Sequence, residues 1–174
     1  MKHLRRLALL TLCTLLLMLP LTACESTNWK DDLTAASLTA TVKSSLPAGD
    51  GWETVSDDYV SPSAWGEDYA DYLSLVTDYV ITVSAESDMN VDEMGIFHAG
   101  SAKDAAKIKS FAEKYLEGKK LRMAPLLESY NQAELPKLDC AKVTVCGNYV
   151  LYTILSAEDT TAAHTAFETA LKGE

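Results

Sequence analysis

Apolar residues recur along this chain with two distinct periods, and the change of period marks its elements. Leu33, Ala36, Leu38, Val42 and Leu46 follow Asp31-Asp32 at helical spacing, and Pro47 and Gly49 end the run. Residues 47 to 63 show neither period. Ser61-Pro62 predicts a short helix with Trp65, Tyr69, Tyr72 and Leu73 on one side, weakened by Gly66. Val76 to Val83 is rich in β-branched and aromatic residues and places Tyr79, Ile81 and Val83 on one face of a strand. A polar turn over Glu86 to Asn90 leads to a second strand, Met94 to His98.

The strongest 3.6-residue period follows. Ser101 with Asp104 forms a variant capping box, and the helix it opens buries Ala105, Ile108, Phe111, Ala112, Tyr115 and Leu116. Lys119, Lys120 and Arg122 suit the negative end of that helix, and a linker with Pro125 and Pro136 is expected after it. Strands at 141–146 and 149–156 are joined by Gly147-Asn148, a two-residue hairpin signal. A last helix opens near Asp159 and buries Ala163, Phe167 and Leu171. Ser101-Ala102-Lys103-Asp104 and Ser156-Ala157-Glu158-Asp159 stand 55 positions apart, each after a hairpin, which suggests a hairpin-plus-helix duplication. The expected class is α+β: a four-stranded antiparallel sheet of two hairpins with helices packed on one face.

The first residues follow a different logic. Lys2, Arg5 and Arg6 precede an apolar run from Leu7 to Leu19. Thirteen helical residues span about 20 Å, short of the ~30 Å hydrocarbon core, so a secretory signal is expected in place of a membrane span. Leu21-Thr22-Ala23-Cys24 resembles the bacterial lipobox, in which the Cys is diacylated and becomes the new N-terminus. Two acyl chains give stable anchoring where one would be marginal. The expected organisation is a lipoprotein signal peptide over 1–23, a short tether over 24–30 and one α+β domain over 31–174. The expected location is the extracytoplasmic face of the cell membrane, with the membrane itself, through lipidated Cys24, as a partner.

Charge narrows the function classes. The chain has 15 Lys plus Arg against 25 Asp plus Glu and a pI near 4.7, which excludes a basic nucleic-acid binder. Without Lys2, Arg5 and Arg6, the 151 residues from Cys24 carry 12 bases against 25 acids, a net charge of −13. Between Ser44 and Ala102 there are twelve acids and no Lys or Arg. The same stretch holds Trp52, Tyr59, Trp65, Tyr69, Tyr72 and Tyr79. Aromatic faces stack on sugars or cations while carboxylates accept hydrogen bonds, so Trp52, Trp65, Glu67, Asp68, Tyr69 and Asp71 are candidate ligand contacts for a cell-wall glycan or an envelope protein.

Catalytic chemistry has little footing. Glu67 and Asp71 lie one helical turn apart, a spacing that suggests a glycosidase pair, although such pairs normally come from different elements flanking the bond. Asp88-Met89-Asn90-Val91-Asp92 begins like a calcium loop, but Glu93 stands where Gly is required and Ala99 where Glu is. His98 and His164 have no nucleophile setting, and no phosphate loop, cofactor motif or metal-ligand spacing occurs. Cys140 and Cys146 flank a strand, which separates them by about 20 Å, beyond the ~7 Å that a disulfide bridges. They are expected as free, buried or half-buried thiols.

From Asp31 to Leu171 the chain resembles a family of bacterial lipoproteins known as domain of unknown function 4358. The resemblance rests on Asp92-Glu93-Met94-Gly95-Ile96-Phe97 before the long helix, on Tyr130, and on Val145-Cys146-Gly147-Asn148-Tyr149-Val150 at the hairpin. It implies a lipoprotein signal and one small domain, and brings no catalytic residue with it. Cys146 stands where that family more usually has a polar or charged residue, which discourages a cysteine-based site. The reading is a non-catalytic binding domain at the cell envelope, with an envelope enzyme acting on glycan through the acidic half as its alternative.

Overall fold

A computed structural model describes residues 28–47, 51–55, 59–85 and 89–172. The elements are α1 (Ala35–Lys43), β1 (Trp52–Thr54), α2 (Pro62–Trp65), α3 (Tyr69–Leu73), β2 (Val76–Ser84), β3 (Glu93–Ala99), α4 (Ala102–Tyr130), α5 (Leu135–Asp139), β4 (Lys142–Cys146), β5 (Tyr149–Ile154) and α6 (Ala157–Lys172). Among the described residues all strands lie antiparallel in one sheet of order β1-β2-β3-β5-β4. The α+β class is as expected, with two corrections. The sheet has five strands, because Trp52–Thr54 adds a three-residue edge to β2, too short to reveal an alternation in sequence.

The second correction is that helices cover both faces. Strand side chains alternate, so β3 sends Met94 and Ile96 to one side and Phe97 and Ala99 to the other. On the first side α1 and α6 bury Leu38, Val42, Phe167 and Leu171 against Met94, Ile96, Tyr149 and Leu151. On the second, α2, α3 and α4 bury Trp65, Ile108, Phe111 and Tyr115 against Ile81, Phe97, Val150 and Tyr152. The two capping boxes are alike: Ser101 and Ser156 each accept from the amide three residues on at 3.1 Å and donate to that Asp at 2.7 Å. The helices they open nevertheless go to opposite faces. Leu155, buried under α6, stands where the first unit has exposed Gly100.

Helix α4 runs well past the expected linker. It carries Pro125 internally, which removes one backbone donor at a cost of roughly 3 kcal/mol. Beyond the proline, Leu127 is fully buried with Val91, Leu138 and Ile154 at the far end of the sheet, which offsets much of that cost. Lys119, Lys120 and Arg122 are therefore in the body of the helix and not at its negative end. Two smaller elements follow their signals closely: Gly66, at φ 100°, separates α2 from α3, and Gly147, at φ 58°, makes the β4–β5 turn.

The N-terminal segment straps the turn end of the sheet. Lys30 donates to the Leu171 carbonyl at 2.9 Å, and Trp29 packs so closely on Gly147 that a Cβ there would meet it at 2.9 Å. Asp31 accepts from Asn148 and contacts His98, whose ring stacks on Tyr149. Further along the same face, under α6, His164 bridges the Thr153 and Thr144 hydroxyls at 3.0 and 2.7 Å.

Burial pulls the His164 pKa down from 6.5 to about 4. The folded state then binds fewer protons than the unfolded chain between those values, so His164 costs stability progressively as pH falls from 6.5 towards 4. Its share is about 3 kcal/mol at full loss. Urea midpoints of wild type and His164→Gln compared at pH 7 and pH 4.5 should converge at the lower value. An unchanged gap would refute this.

Candidate functional site

Glu93, first residue of β3, is fully buried, and it is a carboxylate. A charge at that depth needs compensation for each of its lone pairs. It has it. Oε1 accepts from the Tyr115 hydroxyl at 2.7 Å and the Tyr152 hydroxyl at 2.6 Å. Oε2 accepts from the Tyr59 hydroxyl at 2.7 Å and from the Lys119 ammonium. Four donors meet four lone-pair sites.

Each donor arrives for a local reason. Tyr115 and Lys119 stand four residues apart on the buried stripe of α4, so they lie one above the other. Tyr152 pairs with Gly95 across β3 and β5, and a Cβ on Gly95 would come within 2.2 Å of its ring. The bare glycine lets that phenol lie along β3 and reach Glu93, two residues earlier on the same face. Tyr59 comes from the segment before α2, and its hydroxyl also lies 3.3 Å from that of Tyr115. Trp65, 2% exposed, stacks on Tyr115 with centroids 3.7 Å apart and the rings 6° from parallel.

The titration behaviour follows. Burial pulls the Lys119 pKa down, but the charge of Glu93 and the hydrogen bonds of Glu93 and Tyr59 outweigh it and hold it above its usual value. Burial, then the neighbouring Glu93 charge, raises Tyr115, Tyr152 and Tyr59, with Lys119 opposing the rise at Tyr59. Neutral phenols and a charged ammonium are thus locked around the carboxylate. With its lone pairs occupied, Glu93 is a clamp joining β3, β5, α4 and the α2 approach, and is not free to act as base or nucleophile.

The outer edge of this cluster faces solvent. Tyr59, Tyr115 and Lys119 floor an open depression of about 380 Å³, walled by Ser61, Ser63, Ala64, Arg122 and Met123. A second, larger hollow of about 550 Å³ lies between α4, α5 and β4, lined by Glu113, Glu117, Lys120, Asp139 and Lys142 among others. Nearby, Lys137 joins Asp92 at 2.8 Å and Glu134 at 2.9 Å, tying α5 to the entry of β3.

The residues singled out from sequence are dispersed. Trp65 is core, and Tyr69 is half-buried beside it. Trp52 is half-buried against the α1–α6 layer, on the other side of the sheet. Asp68 pairs with Lys114 at 3.2 Å, while Glu67 and Asp71 are exposed and line neither hollow. Cys24 lies outside the described residues. Cys140 and Cys146 are free, and burial, helped by Glu168, pushes the Cys146 thiol up to about 12, which makes it inert. Among the described residues no group of three His, Cys, Asp or Glu side chains is placed to hold a metal, and no helix is long and apolar enough to cross a membrane.

Sequence reasoning missed the cluster because Asp92-Glu93 reads as a solvated turn. Two signals pointed to it: a glycine inside an apolar strand, and a lysine one turn beyond a buried tyrosine.

The fold and this cluster define a small α+β domain built around a clamped carboxylate. A family model described as Domain of unknown function (DUF4358) matches residues 68–155, half of the chain, and the protein belongs to that family. The matched span runs from α3 through β5 and holds Glu93, Gly95, Tyr115, Lys119 and Tyr152, while Tyr59 lies before it. No curated protein and no solved structure matches the chain.

Glu93→Gln should destabilise the domain by about 3–5 kcal/mol, the usual cost of breaking a buried pair. Combining it with Lys119→Met should cost less than the two single losses together, and strict additivity in urea unfolding would show that the pair is uncoupled. Alkaline titration offers a second test. Above about pH 10 the unfolded chain releases tyrosine and lysine protons that the folded cluster retains, so stability falls as pH rises, by about 1.4 kcal/mol per pH unit for each such group. Tyr152→Phe should flatten that fall between pH 10 and 11.5, and an unchanged slope would refute the assignment.

Proposed function

We propose that this protein is a lipid-anchored, extracytoplasmic domain of the bacterial cell envelope that binds a ligand or partner without transforming it. Anchoring is supported by the basic start, the short apolar run and the lipobox-like Leu21-Thr22-Ala23-Cys24, with palmitate among the acyl chains expected on Cys24. The observation that carries the non-catalytic reading is the saturation of Glu93: the most deeply placed carboxyl group of the site has no lone pair left for proton transfer or attack. What remains accessible is a shallow depression with hydroxyl, aromatic and cationic groups at its rim, which suits recognition.

Radiolabelled palmitate fed to cells making the full chain should label it, and Cys24→Ser should remove the label and release the protein from the membrane fraction. Continued labelling of the variant would refute the anchor.

A further inference from the structure

We propose that the depression above the Glu93 cluster binds the C-terminal carboxylate of a short peptide, with Arg122 as the residue that recognises it. The inference deepens the binding reading above and rests on it.

Arg122 is the unspent cation of the site. Lys119, only 15% exposed, is already paired with Glu93, whereas the guanidinium donates to the Ala64 carbonyl at 3.2 Å and no carboxylate among the described residues pairs with it. That is notable beside a stretch with twelve acids and no base. The guanidinium lies back over Gly118, where a Cβ would come within 3.1 Å of Nη1. Glycine inside a helix is less favourable than alanine, and here its bareness leaves room for Arg122 to reach across to the α2 carbonyl.

Charge and shape select the ligand. A guanidinium presents a planar fork of donors that matches a carboxylate in two parallel hydrogen bonds. With Lys119 neutralised by Glu93, the site carries one net positive charge. A monoanion balances it, while a phosphate dianion would bring excess negative charge against buried Glu93. The walls then favour a peptide over a sugar. Tyr59, Ala64 and Met123 offer mainly apolar surface, and the Ser61 and Ser63 hydroxyls, 3.1 Å apart, spend one of their two protons on each other, leaving a single hydroxyl donor between them for a polyhydroxylated ring. A hollow of about 380 Å³ takes two or three small residues.

Isothermal titration of the full chain in detergent micelles tests this with N-acetyl-dialanine as the free acid, its C-terminal amide, N-acetylmuramic acid, N-acetylglucosamine and inorganic phosphate. The peptide acid should bind at least tenfold tighter than its amide and tighter than the other probes. Arg122→Gln should weaken it at least tenfold with an unchanged melting temperature, and Arg122→Lys should fall between because it keeps the charge and loses the fork. Gly118→Ala should raise the melting temperature yet weaken binding several-fold by displacing the guanidinium. Equal binding of acid and amide, preference for N-acetylmuramic acid or phosphate, no binding by any probe, or an unaffected Arg122→Gln would each overturn the proposal. Those failures leave acyl labelling of Cys24 untouched, and hydrolysis of the bound peptide would overturn the non-catalytic reading without removing the site.

Discussion

A single buried carboxylate organises this domain. Glu93 sits at the start of a central strand, where an ionised group without partners would cost more than the marginal stability of a domain this size. Its four donors come from four separate places in the chain: the approach to α2, two successive turns of α4, and β5. Each hydrogen bond therefore also fixes a tertiary relationship. Gly95 takes part although it donates nothing, because only a residue without Cβ leaves the path Tyr152 needs. Trp65, stacked on Tyr115, seals the cluster from one side.

The same cluster reconciles the lopsided charge with a folded state. Helix α4 carries seven Lys or Arg against four acids, in a chain whose 44–102 stretch has acids alone. The acidic stretch folds against that helix, and the ion pairs Lys114–Asp68 and Lys119–Glu93 join the two. The first is exposed and contributes little, while the second is buried and its loss is expensive. Arg122, on the same helix, is left over, and the excess shows at the rim of the hollow.

What could be read from sequence followed the strength of local pattern. The long amphipathic stripe of α4, the fully buried β5 with its β-branched and aromatic residues, and the Gly147-Asn148 turn each carry their signal within a few residues, and all three are present as expected. β1 is three residues on an edge, and its existence depends on pairing with Ser84, Val83 and Thr82 far along the chain. The continuation of α4 through Pro125 depends on Leu127 finding Val91, Leu138 and Ile154, which no local rule contains. The site was the least legible part. Glu93, Lys119 and the tyrosines are each unremarkable in their own windows, as a turn acid, a helix base and core aromatics, and become a site only when four segments meet.

The strap formed by Trp29, Lys30 and Asp31 fixes the end of the fold at which the N-terminal segment arrives. It leaves the fold beside Gly147-Asn148, the end at which α4 begins, since the Ala99 amide donates to the Asn148 carbonyl there. Arg122 lies twenty residues further along α4, or roughly 30 Å of helix. Under the anchoring proposed above, the end where the chain leaves the fold and the rim that carries Arg122 stand well apart along α4, so a lipid and a ligand would not compete for one surface.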